Sequence, residues 1–104
     1  MKKADQKYIN SICTYVYEKA MKEYESFNYI NCGQLRTCSA DVIETENYFL
    51  LRSYNTIVGV MNKRTRELID VLRFVYGYTA TSAKHLAKFG YDYHETKRYT
   101  YRDV

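Results

Sequence analysis

The chain opens on a helical pattern. In residues 4–25, Ile9, Ile12, Cys13, Val16 and Ala20 recur every three or four positions, and Tyr24 extends the stripe. That spacing places one apolar face on an α-helix. Asp5 stands where an N-cap belongs. Lys19 and Glu23 lie four apart on the outer side, a pairing worth about 0.3 kcal/mol. Tyr8, Tyr15 and Tyr17 crowd the same helix and make its solvated side less polar than usual. The period then lapses. Asn28, Asn31 and Gly33 favour turns, and a short helical or extended piece is expected around Ala40–Glu44.

From Tyr48 the period shortens to two. YFLLRS (48–53) and TIVGVM (56–61) suit strands, and Asn62, Lys63, Arg64, Thr65 and Arg66 form a polar turn. The run 67–76 reads two ways. As a strand, Leu68, Asp70, Leu72 and Phe74 share a face; as a helix, Leu68, Val71, Leu72 and Val75 share a stripe. A strand over 67–71 is carried forward, giving a hairpin of 54–61 with 66–72. In YTATSAKH (78–85), Thr79 or Thr81 can cap a helix. With Thr81 as cap, the helix holds Ala83, Leu86, Ala87 and Phe89 until Gly90 ends it. His85, three residues after Ser82, is expected to satisfy a local hydrogen bond at the helix start. The closing segment alternates again, Tyr91 with Tyr93 and Tyr99 with Tyr101, and its Lys97, Arg98 and Arg102 would protect an edge strand. The order of elements predicts an α+β fold: an N-terminal amphipathic helix, a small antiparallel sheet of three to four strands, and a short second helix at 81–89.

Composition adds limits. The chain has 104 residues, the size of one domain, so residues 1–104 are read as a single unit. It has no proline, no tryptophan and 13 tyrosines, more rings than a core this small can bury with satisfied hydroxyls. Charge is uneven: residues 1–50 carry six Lys/Arg and seven Asp/Glu, residues 51–104 ten and five. A basic second half suits nucleic acid or an acidic partner, and argues against a carboxylate-based imitation of DNA. The three cysteines, Cys13, Cys32 and Cys38, form no evident disulfide framework. The start MKKADQKYIN has no apolar run behind it and no stretch approaches the ~20 apolar residues a bilayer needs. The expected location is the cytoplasm, without membrane attachment.

Catalytic constellations are not legible. Cys32, Cys38, His85 and His94 could ligate zinc, but the cysteines are six positions apart and the histidines nine, outside compact zinc modules. Ser82 and His85 share a helix face, yet no Gly-rich elbow surrounds Ser82 and no acidic partner is identifiable. Gly33, Gly59, Gly77 and Gly90 are isolated, so no phosphate-gripping loop exists. Glu44 with Glu46, and Asp92 with Glu95, read as solvated faces. No cofactor, metal or enzymatic activity is expected. The residues singled out for binding are Arg64 and Arg66 at the turn, and Arg98, Tyr99, Tyr101 and Arg102 near the C-terminus, where cations and rings interleave.

Tyr54, Thr56 and Val58 make a Tyr-x-Thr-x-Val stretch followed by a hairpin. Tyr78, Thr79, Thr81, Ser82, Ala83, Lys84, His85 and Phe89 then form a Ser/Thr-rich cap with a Lys-His pair closed by Phe. This pattern, over about 53–89, resembles a small domain in uncharacterised proteins of bacteriophages and related mobile elements. The chain departs from it at Gly59, where Ala is expected, at Ser82, where Thr is usual, and at Ala83, where Ser is usual. The resemblance implies a small phage protein that binds a host protein and inhibits or modulates it, CRISPR nucleases and other defence factors being the kind of target. The alternative is a nucleic-acid-binding accessory protein using the basic, Tyr-rich second half. Pairing of two copies through helix 5–25 is left open.

Overall fold

A computed structural model describes residues 3–26, 29–34, 40–77 and 79–103, with the backbone alone at 3–4 and 29–34. Helix α1 (Lys3–Glu25) leads into five strands, β1 (Tyr29–Gln34), β2 (Ala40–Thr45), β3 (Tyr48–Ser53), β4 (Thr56–Asn62) and β5 (Glu67–Asp70). A short α2 (Leu72–Val75), a longer α3 (Ala80–Asp92) and a final strand β6 (Lys97–Thr100) complete the chain. The fold is α+β, as the order of patterns predicts. The sheet is larger than expected, with six strands in the order β1-β2-β3-β4-β5-β6, and it is mixed: β5 and β6 run parallel, all other pairs antiparallel. The parallel pair follows from the connection, since a strand that returns through a helix cannot close a tight hairpin.

The helices cover opposite faces of the sheet. Alternation sends Ile43, Tyr48, Leu50, Val60 and Ile69 toward α1, where they meet Cys13 and Ala20. It sends Val42, Leu51, Val58, Met61 and Leu68 toward α3, where they meet Leu86 and Phe89. In β4 the register shifts opposite Leu51 and Arg52, so Val58 is an extra residue in a β-bulge. The bulge brings Gly59 beneath α3, where an added Cβ would lie 2.6 Å from Leu86 Cδ2. Glycine there lets the helix sit close to the sheet.

Three expectations need correction. Asp5 lies within the first turn of α1 rather than at its cap. The second helix starts earlier and ends later than 81–89: Thr79, extended at φ −134° and ψ 143°, accepts from the Ser82 amide through its side chain. Helix α3 also passes through Gly90, which is there for clearance and not to end the helix: a Cβ would collide with the Glu95–Arg98 pair folded over it. The run 67–76 is both of its readings in turn, a strand to Asp70 and a helical turn from Leu72, with Asp70 Oδ1 accepting from the Leu72 amide at 3.1 Å. Among the described residues no helix is long and apolar enough to cross a membrane.

Candidate recognition surface

Strand β6 is the edge of the sheet, and α1 covers part of its backbone with side chains. Gln6 Nε2 donates to the Thr100 carbonyl at 3.0 Å and to Asn10 Oδ1 at 2.7 Å. Asn10 Nδ2 donates to the Arg102 carbonyl at 2.7 Å, while its Oδ1 accepts from the Arg102 amide at 3.1 Å. The carboxamide of Asn10 thus pairs with Arg102 much as a neighbouring strand would, and it hides groups that could recruit another strand. One turn further on, the buried Cys13 thiol lies 3.6 Å from the Tyr99 carbonyl. Burial, and secondarily the charge of Asp70, push this thiol up to about 12.

Alternation along β6 separates the residues that the sequence singles out. Tyr99 and Tyr101 turn toward α1 and pack on its core, with the Tyr99 hydroxyl donating to Glu67 Oε2 at 3.3 Å. Arg98 and Thr100 turn toward α3 and line a cleft with Leu86. Arg98 is held by Glu95, through Nε at 3.0 Å and Nη2 at 2.8 Å, and Nη2 reaches the Leu86 carbonyl at 3.4 Å. At the β4–β5 turn, the Arg64 amide bonds Asn62 Oδ1 at 2.8 Å. Arg66 adopts φ 63°, donates to the Tyr93 carbonyl at 3.2 Å and stacks 5.3 Å from the Phe49 ring centre. Glu67 pairs with Lys97 and Asp70 with Thr100, so the turn lies at one end of β5–β6 and Arg102 at the other, roughly 15 Å of extended chain away. The six residues form two groups rather than one site.

Aromatic residues outside that set complete the Arg102 end. Phe74 on α2 remains 47% exposed. Its ring lies 5.0 Å from Tyr101 and 6.1 Å from Tyr17 of α1, edge-on to the latter. Tyr76, the C-cap of α2, is about as exposed. The sequence leaves Phe74 open, on a strand face in one reading of 67–76 and off the apolar stripe in the other; the short helical turn at Leu72, whose amide bonds Asp70, brings it beside Tyr101.

On the other side of β6, Asp70, Arg73, Arg98, Thr100 and Arg102 line a cleft of about 230 Å³ floored by Leu72, Ala83 and Leu86. Burial raises the Asp70 carboxyl above the ordinary range, against the opposing pull of the Leu72 amide and then of Arg98, Arg73 and Arg102. Asp70 belongs to no ion pair among the described residues. The charges face one another across space.

The start of α3 carries a polar chain inside the domain. Ser53 Oγ of β3 lies 2.8 Å from His85 Nδ1 and 3.0 Å from Ser82 Oγ. All three residues are buried, and His85 Nδ1 bonds across to Ser53 of the sheet, a partner beyond the local bond expected at the helix start. Desolvation lowers the His85 pKa, favouring the neutral ring. Ser53 has no exposed surface for a substrate to reach. Cys38 and the side chain of Cys32 lie outside the described residues, and among the described residues no group of three or more His, Cys, Asp or Glu is placed to hold a metal. Compared with protein-family models, curated proteins and solved structures, this chain matches none.

Proposed function

We propose that this protein is a non-catalytic binding module that engages a partner protein through the lip formed by Tyr17, Phe74 and Tyr101, with Arg102 at its margin. The observation that carries this reading is the half-exposed Phe74 ring, set against two tyrosines on elements that hold it still. Rigid aromatic anchors bordered by cations are what dominate binding energy at protein interfaces. The fully buried Ser53–Ser82–His85 chain favours a structural role for the residue types that otherwise suggest chemistry. The sequence resemblance supplies the context: a phage or mobile-element protein acting on a host factor in the bacterial cytoplasm, a CRISPR nuclease or another defence protein being the kind of target. The nucleic-acid alternative draws on the cations near Arg98 and Arg102, but Arg64 and Arg66 stand at the far end of the sheet.

The test is capture from nuclease-treated and untreated bacterial lysate by the wild type and by Phe74→Ser, with folding of both checked by circular dichroism. A protein recovered equally with and without nuclease, and lost with Phe74→Ser, supports the reading. Capture that disappears on nuclease treatment, or that survives Phe74→Ser, overturns it. Truncating such a central ring should cost about 2 kcal/mol in affinity, whereas Arg102→Gln should act mainly on association rate.

A further inference from the structure

We propose that the cleft between β6, α2 and α3 is a binding site for a phosphate group, held by Arg73, Arg98, Arg102 and Thr100. The inference does not depend on the aromatic lip, which lies on the opposite face of the same strand.

Three guanidinium-bearing residues from two separate elements meet there, with a threonine between two of them. Guanidinium forks match oxyanions in shape and charge. The Arg102 guanidinium makes no hydrogen bond or ion pair among the described residues, while its backbone is fixed by Asn10. Arg98 is already oriented: Glu95 takes its Nε and Nη2, leaving the Nη1 edge outside those bonds. A side chain held this way gives up little conformational freedom when it binds.

Size and valence select the ligand. The volume of about 230 Å³ is below the ~300–1,000 Å³ of sites that enclose whole drug-sized molecules, so a single group enters, not a nucleoside. A planar carboxylate offers two oxygens and satisfies at most two forks. A phosphate monoester presents three acceptor oxygens with a charge of about −2, enough for three arginines and a hydroxyl. With Asp70 ionised and Arg98 paired to Glu95, the three arginines leave the cleft positive, at a net +1, and it attracts that dianion. Asp70 itself is occupied at Oδ1 by the Leu72 amide and opposes the anion.

The full chain would be titrated with sodium phosphate at constant ionic strength, following the Thr100 amide and arginine side-chain resonances by NMR. Saturable shifts centred on Thr100, Arg98 and Arg102 are expected, with a Kd of about 1 mM or tighter. Free O-phosphoserine should match phosphate, and serine should do nothing. Arg73→Gln and Arg102→Gln should each weaken binding about tenfold. Asp70→Asn, which keeps the Leu72 acceptor and removes a like charge, should tighten it. Acetate shifting the same resonances at equal concentration would overturn the phosphate assignment. Shifts that stay linear with concentration, survive Arg102→Gln in a chain whose spectrum is otherwise native, or centre on the 62–66 turn would overturn the site. None of these readouts requires a partner protein, so failure here leaves the lip standing, and failure of the lip leaves this result intact.

Discussion

Removing the Ser53 hydroxyl should destabilise the domain more than removing any hydroxyl of the segment that follows Tyr78. Ser53 Oγ is the hub of a buried chain, 2.8 Å from His85 Nδ1 and 3.0 Å from Ser82 Oγ. Ser53→Ala deletes both bonds and strands Ser82 Oγ, which has no other partner among the described residues. A stranded buried hydroxyl costs about 1–3 kcal/mol, and a lost bond about 1 kcal/mol. The expected total is about 2–4 kcal/mol. Ser82→Ala removes one arm only, at about 1 kcal/mol. Thr79→Ala loses the cap on the Ser82 amide, also about 1 kcal/mol. Thr81→Ala touches an exposed side chain and should stay within about 0.5 kcal/mol. In urea, with a slope of about 1.5 kcal/mol/M, Ser53→Ala should lower the midpoint by roughly 1.3–2.7 M and Thr81→Ala by less than ~0.4 M. The slopes should agree across the four variants, which keeps the comparison one of stability. A Thr81→Ala midpoint below that of Thr79→Ala would move the helix start. Ser53→Ala no worse than Ser82→Ala would show that the hub does not bridge sheet and helix.

The same chain sets a pH dependence. His85 has its pKa lowered by burial: the unfolded imidazole takes a proton near its ordinary value of about 6.5 while the folded one waits for lower pH, so stability is full above that value and falls as pH drops below it. Subtracting the stability profile of His85→Gln from that of the wild type should isolate this fall, and a flat difference between pH 5 and 7 would refute it. Cys13, buried and pushed up to about 12, should resist alkylation in a Cys32→Ser/Cys38→Ser background until the domain unfolds globally; labelling at the rate of an open thiol would place it at the surface. Gly59→Ala should cost about 1–3 kcal/mol by forcing Leu86 aside, and the penalty should shrink when Leu86→Ala is present, as a double-mutant cycle will read.

The parts legible in the sequence are those whose cause is local. Helix α1 reads correctly because Cys13 and Ala20, one heptad apart, share its buried face. Strands β3 and β4 read correctly because branched and aromatic residues dominate them. The run after Glu67 is ambiguous because it satisfies both periods, and a single bond from the Leu72 amide to Asp70 divides it. Thr79 and Thr81 offer the same hydroxyl. What selects Thr79 is tertiary: starting there places Ser82, His85, Leu86 and Phe89 together on the buried side of α3 and leaves Thr81 in solvent. The parallel pairing of β6 with β5 has no local signal at all, since 26 residues of helix and loop intervene. The candidate site suffered for the same reason. Grouping Arg64 with Arg102 assumed that the turn and the C-terminus meet at one rim, whereas a parallel strand puts them at opposite ends.

Parallel pairing also explains how β6 and the residue after it serve two surfaces. An antiparallel return would have brought Arg102 back beside the basic turn. Running parallel to β5, the strand instead delivers its C-terminal end to Asp70 and α2, where the Tyr101 amide donates to the Asp70 carbonyl at 2.9 Å. Period-two alternation then divides the chemistry, with Tyr99 and Tyr101 on the α1 side and Arg98 and Thr100 on the α3 side. Arg102 follows immediately, at the boundary between the two, and its backbone is anchored by Asn10 from the opposite end of the sequence. The aromatic lip and the arginine cleft are therefore held by one clamp. Loosening Asn10 would disturb both and Arg102 borders both, while a side-chain change at Phe74 addresses the lip and one at Arg73 the cleft, which is why those positions, and not the clamp, are the ones that separate the two surfaces.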